Sequence, residues 1–166
     1  MNSATENTSG DRILYVRIGA IPRTRILYLP PEQTLTEYFK HAEAHDGRLL
    51  FTGNQRALRN RNDIGSIIFY TPHSELKIVG DVADMGDGYN PKKWNPESSY
   101  QAAFPWNRMP ANQWIALDHV RRLEEFDPDG YVITAGKEKG KKLSEIASDF
   151  YNYTMTLVPA DEWHAA

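Results

Sequence analysis

The chain has 166 residues, a net charge of −3 and no cysteine. Disulfides, thiolate zinc sites and cysteine nucleophiles are thereby excluded, and near-neutral charge argues against nucleic-acid binding by bulk charge alone. With 40% hydrophobic and 25% charged residues the composition is that of a globular protein, enriched in aromatics: 4 Trp, 9 Tyr and 6 Phe. No apolar run is long enough to span a membrane, and MNSATENTSG at the start does not read as a signal peptide.

Residues 1–10 read as a disordered tail. Ile13 to Ile18, ILYVRI, is β-branched and aromatic and predicts a strand; Ile26 to Leu29 predicts a second, stopped by Pro30-Pro31. A helix follows, with Thr34 as its cap and Glu37 at the capping-box spacing. Leu35, Tyr38, Phe39 and Ala42 form its apolar face, and Gly47 ends it. Arg48 to Thr52 predicts a strand. Gly53 to Arg61 is polar, basic and irregular. Ile64 to Tyr70 and Leu76 to Val82 predict a hairpin around the turn TPHSE.

Asp84 to Pro110 reads as a long linker, broken by four prolines and by Gly86 and Gly88. Its Tyr89, Trp94, Tyr100, Phe104 and Trp106 are not the composition of disorder. Trp114 to Leu123 alternates, with Trp114, Ala116 and Asp118 on one face and Ile115, Leu117 and His119 on the other. A turn at Phe126 to Gly130, a short strand at Tyr131 to Thr134, a helix over Lys142 to Phe150 and a strand at Met155 to Val158 complete the chain. This order predicts an α+β fold around a strongly curved mixed sheet or small barrel, flanked by short helices.

His41 and His45 stand one helical turn apart, a zinc-capable spacing, but no third ligand accompanies them and they read as solvated surface residues. Gly136 to Ser144, GKEKGKKLS, lacks the spacing of a phosphate loop and reads as a basic flexible loop. Asp63 followed by Glu75-Leu76-Lys77 has the acid and acid-x-Lys order of metal-dependent nucleases, but the connection is tight and the acids lie at hairpin ends, where Glu75 and Lys77 read as exposed edge residues. Charge is unevenly spread. Arg48, Arg56, Arg59 and Arg61 occupy a stretch free of acids, and Lys137, Lys139, Lys141 and Lys142 form a second basic cluster. Such groups suit phosphate oxygens, and aromatic side chains suit the faces of bases.

Phe69-Tyr70, the turn Thr71 to Glu75 and Ile78-Val79-Gly80-Asp81-Val82 resemble the core hairpin of the EVE domains of the PUA-like superfamily. Gly53-Asn54-Gln55-Arg56-Ala57 resembles the basic, Asn-rich turn before that hairpin, and Trp114 to Leu123 with Phe126-Asp127-Pro128 resembles the strand and exit turn after it. Two places depart from the pattern. Tyr15 stands in a first strand that usually carries Trp, and no Trp precedes Gly53.

The resemblance implies a single EVE/PUA-like domain over residues 11–160, a pseudo-barrel, with a short tail at 161–166. It implies a non-catalytic reader of a modified, for example methylated, nucleobase of DNA or RNA, flipped into an aromatic pocket. Asn54, Phe69, Tyr70 and Thr71 match the pocket border, Trp94 and Trp106 are cage candidates, and Arg56, Arg59, Arg61, Lys139 and Lys141 are phosphate candidates. No cofactor or metal is expected. The expected setting is cytoplasmic, as a monomer, with nucleic acid and an effector protein as partners. The alternatives are a small nuclease using Asp63, Glu75 and Lys77, or a PUA-like domain that binds a small molecule or a protein.

Overall fold

A computed structural model describes residues 12–18, 30–53, 64–71, 74–146 and 155–163. Seven strands form one mixed sheet: β1 (Arg12–Arg17), β2 (Leu49–Gly53), β3 (Ile64–Tyr70), β4 (Ile78–Tyr89), β5 (Ala111–Arg122), β6 (Tyr131–Ile133) and β7 (Met155–Pro159). Their order is β2-β5-β4-β3-β1-β7-β6. β1 and β3 are parallel, and every other pairing is antiparallel. The fold is therefore α+β, with an open sheet whose edges are β2 and β6. The expected hairpin is present, pairing Ile67 with Gly80 and Phe69 with Ile78. The expected strand at residues 26–29 and the tail at 1–10 lie outside the described residues.

The helix α1 (Pro31–Ala44) is capped at Pro30, four residues before the expected cap Thr34. Pro31 occupies its first turn, where a missing N–H costs nothing and φ is preset. Thr34 is instead buried inside that turn. Gly47, at φ +80, ends the helix as expected, donating its N–H to the Ala42 carbonyl at 2.7 Å. The expected helix over 142–150 is, in its described part, a single 3-10 turn at Leu143–Glu145.

Both faces of the sheet are covered, so its central strands alternate between two apolar environments. Leu14, Val16, Ile67, Phe69, Leu49, Phe51, Ile115 and Leu117 face α1, which contributes Leu35, Tyr38 and Ala42. On the opposite face Tyr15, Ile68, Tyr70 and Val79 meet Ile133, Leu143 and Leu157. At the β2–β5 end of that opposite face, Leu50 and Ala116 are covered by Tyr89, Trp94, Tyr100 and Trp114. Each fully buried aliphatic side chain here stabilises the fold by about 1.5–3 kcal/mol over its exposed state.

β4 runs to Tyr89, through the stretch expected to be linker. Two bulges make this possible. Gly80 faces both His119 and Val120, and Ala83 is the extra residue on β4 between the Val82–Leu117 and Asp84–Ala116 pairs. His119 takes a left-handed φ of 52°, so Val120 replaces it on the face of Leu117, against the simple alternation. Gly86 does not break the strand, because the Trp114 indole opposite lies directly over it. A Cβ on Gly86 would sit 2.5 Å from Trp114 Cζ2.

Gly86→Ala should lower stability by about 1–3 kcal/mol through this overpacking. Gly130→Ala, in open space at the Pro128–Gly130 turn, should stay within about 0.5 kcal/mol of wild type. Urea midpoints at a constant slope measure both.

Candidate functional site

The β4–β5 ladder opens at its far end into a groove of about 420 Å³, lined by Glu75, Leu76, Lys77, Arg122, Leu123, Glu124 and Phe126. The last ladder pair is Ile78 with Arg122, and the Leu123 N–H adds one more bond, to the Lys77 carbonyl at 2.9 Å. Beyond that point the two chains separate. Residues 75–77 are held toward α1, where Ser74 Oγ donates to Glu32 Oε2 and accepts from the Leu76 N–H at 3.2 Å. The Arg122 guanidinium lies 5.9 Å from the ring of Phe39, on α1.

On the other side stands the ring of Phe126, backed by tyrosines. Phe126 lies nearly parallel to Tyr131, centroids 5.1 Å apart, and to Tyr15 at 5.8 Å. Tyr15 stacks on Tyr70 at 4.0 Å. Lys77 Nζ lies 5.4 Å from the Phe126 ring centroid. Burial pushes the Lys77 ammonium below its ordinary range, and the Glu75 carboxylate opposes this more weakly. Two cations, two carboxylates and one ring thus share a groove whose charges balance.

The residues expected to form one pocket are dispersed. Phe69 points to the α1 face, wholly buried between Tyr38 at 5.7 Å and Phe51 at 4.9 Å. Tyr70, the next residue of β3, necessarily points to the opposite face, where Tyr15 and Phe126 link it to the groove. Thr71 is buried. Trp94 donates its indole N–H to the Tyr100 carbonyl at 2.9 Å and meets Trp114 edge-on at 5.1 Å. Trp106 lies 4.7 Å from Tyr38. The two tryptophans therefore anchor the 90–110 segment to the sheet and helix, and neither meets Tyr70. Trp94 and Trp106 pack on one cluster at the β2–β5 end of the sheet and Tyr70 on another, so among the described residues a cage of the three is not assembled.

Of the basic candidates, Lys139 is exposed, and Lys141 pairs with Glu138 at 2.8 Å. Asn54, Arg56, Arg59, Arg61 and Asp63 lie outside the described residues. Glu75 and Lys77 do come together on the groove. Arg122, Glu124 and Phe126 were not selected from the sequence. Their signal was faint: a single Phe in the acidic stretch between β5 and β6.

His41 and His45 stack at 3.9 Å, and among the described residues no group of three His, Asp or Glu is placed to hold a metal. His41 is half-buried, against the expectation of a solvated residue, whereas His45 is exposed. Burial, with the neighbouring His45, pushes His41 down to about 4, while the Gln101 backbone acts weakly the other way. No protein-family model, curated protein or solved structure matches the chain. No helix among the described residues is long and apolar enough to cross a membrane.

Two predictions follow from this packing. Trp94→Phe should cost about 1 kcal/mol through its lost indole bond, and Trp106→Ala about 3 kcal/mol, both read as urea midpoints. Because folding lowers the His41 pKa, the unfolded chain binds the extra proton. That contribution to stability is present above pH 6.5 and is lost as pH falls from 6.5 to about 4. His41→Gln should flatten this part of the stability–pH curve relative to wild type.

Proposed function

We propose that this chain is a non-catalytic nucleic-acid-binding module that reads one modified, for example methylated, nucleobase of DNA or RNA, flipped from its stack. In this reading the curved mixed sheet is the wall of a PUA-like pseudo-barrel of the EVE type. The observation that supports it is the groove beside Phe126, which joins one aromatic ring to groups of both charges. Arg122 and Lys77 suit phosphate oxygens, and Glu75 and Glu124 suit the exocyclic amino donors of a base. Exposed Lys139 adds a phosphate contact outside the groove. The base site therefore moves from the tryptophans of the 90–110 segment to the mouth of the β4–β5 ladder.

The placing of Glu75 and Lys77 on that same groove favours one second reading, a metal-dependent nuclease completed by Asp63.

Fluorescence anisotropy with modified and unmodified DNA and RNA oligonucleotides tests the proposal. One modified oligonucleotide should bind more tightly than its unmodified counterpart. Phe126→Ala should weaken it by about tenfold, the scale of a lost base–aromatic contact. Arg122→Ala should reduce the salt slope by about 1. Absence of binding to every oligonucleotide at low salt overturns the reading. Magnesium-dependent cleavage that Glu75→Gln abolishes replaces it with the nuclease.

A further inference from the structure

Lys77 occupies an unusual position for a lysine. It lies half-buried at the wall of an open groove, beside an aromatic ring, rather than extended into solvent. Among the described residues no carboxylate lies within ion-pair distance of it. Burial favours the neutral amine, as its lowered pKa indicates, and a neutral amine is a nucleophile. Exposed lysines such as Lys139 lack that environment. The same groove holds the carboxyl groups of Glu75 and Glu124 and the guanidinium of Arg122, a group suited to anions.

From this geometry we propose that Lys77 condenses with an aldehyde or ketone carbon that carries an anionic group nearby, forming a reversible imine in the groove. The Nζ lone pair attacks the carbonyl carbon, and the carbonyl oxygen takes up a proton, giving a carbinolamine after Nζ loses one. Glu75 or Glu124 donates a second proton to the hydroxyl, which leaves as water, and the nitrogen lone pair closes the C=N bond. No oxidant or reductant is consumed. Arg122 orients the ligand through its anion.

Two sources carry this chemistry. One is the ring-opened sugar aldehyde of an abasic nucleotide, with a phosphate on either side. The other is a free 2-oxo acid, with a carboxylate beside its ketone. The nucleic-acid reading favours the first, because an abasic nucleotide carries its aldehyde between two phosphates, one of which Arg122 can hold while Lys77 meets the aldehyde. That choice of source rests on the nucleic-acid reading above, whereas the imine at Lys77 does not.

The full chain is incubated at neutral pH with sodium borohydride and, in separate arms, an abasic-site oligonucleotide, its intact counterpart, or pyruvate. Borohydride reduces an imine to a stable secondary amine, and the adduct is located by peptide mass mapping. An adduct on Lys77 in the abasic arm, lost in Lys77→Arg, is the expected result. Lys77→Arg keeps the positive charge but has no amine able to form the imine, and its circular dichroism verifies the fold. An adduct on Lys77 with pyruvate alone supports the imine and assigns it to the small acid. No adduct in any arm overturns the proposal, as do adducts spread over exposed lysines or unchanged in Lys77→Arg. Anisotropy with the intact oligonucleotide keeps the two ideas separable. Binding without an adduct removes only the imine, and a pyruvate adduct without oligonucleotide binding removes only the nucleic-acid reading.

Discussion

The pairing of β4 with β5 is the constraint on which the rest of the molecule depends. Each strand has twelve residues, and the pair carries a bulge on either side. Bulges bend a ladder and increase its twist, so two long strands remain paired while their faces are re-aimed. Toward one end of this ladder, which pairs as far as Tyr89 with Ala111, Trp114 lies across Gly86. The other end opens beyond Arg122 into the groove. Between them, Val120 rather than His119 completes the core beside Leu117, and its N–H donates to the Gly47 carbonyl at 2.9 Å. The end of α1 is thereby tied to the bulge.

The aromatic surplus takes a different meaning from this architecture. A sheet buried on both faces requires two sets of large apolar residues, and aromatics supply much of each. Tyr38, Phe51 and Phe69 meet edge-on or tilted on the helix side. Tyr70, Tyr15, Phe126 and Tyr131 stack in sequence on the other side. Trp94 and Trp106 fasten the 90–110 segment over the sheet and against α1. The column containing Phe126 reaches the groove with charged walls. Concentration of tryptophan in one segment therefore reflects how that segment is anchored, while the groove uses a phenylalanine.

Charge follows the same logic. At the bulge, Asp81 faces His119 at 3.1 Å and Arg121 at 3.6 Å, and Asp118 accepts from the Tyr100 hydroxyl at 2.8 Å. These groups are partnered among themselves and exposed enough that water screens them. Lys77 differs because it is half-buried against a ring. The distinction between a solvated charge and a chemically useful one lies in that surrounding, which residue type alone does not reveal.

Much of the framework was determined by the sequence alone. Runs of β-branched and aromatic residues specified β1, β3 and the start of β4, helical spacing specified the buried face of α1, and Gly47 marked its end, because these signals are local to each segment. The α+β class followed from them. Other features needed the tertiary structure. Pro31 rather than Thr34 opens the helix, since Thr34 is drawn into the core. Gly86 continues a strand because a distant tryptophan covers it. Phe69 and Tyr70, adjacent in sequence, are sent to opposite faces by the pleat, so they share no pocket. The groove joins residues 75–77 to residues 122–126, brought together by the register of two bulged strands, and register across a long ladder is a property of the folded sheet that neither segment carries within itself.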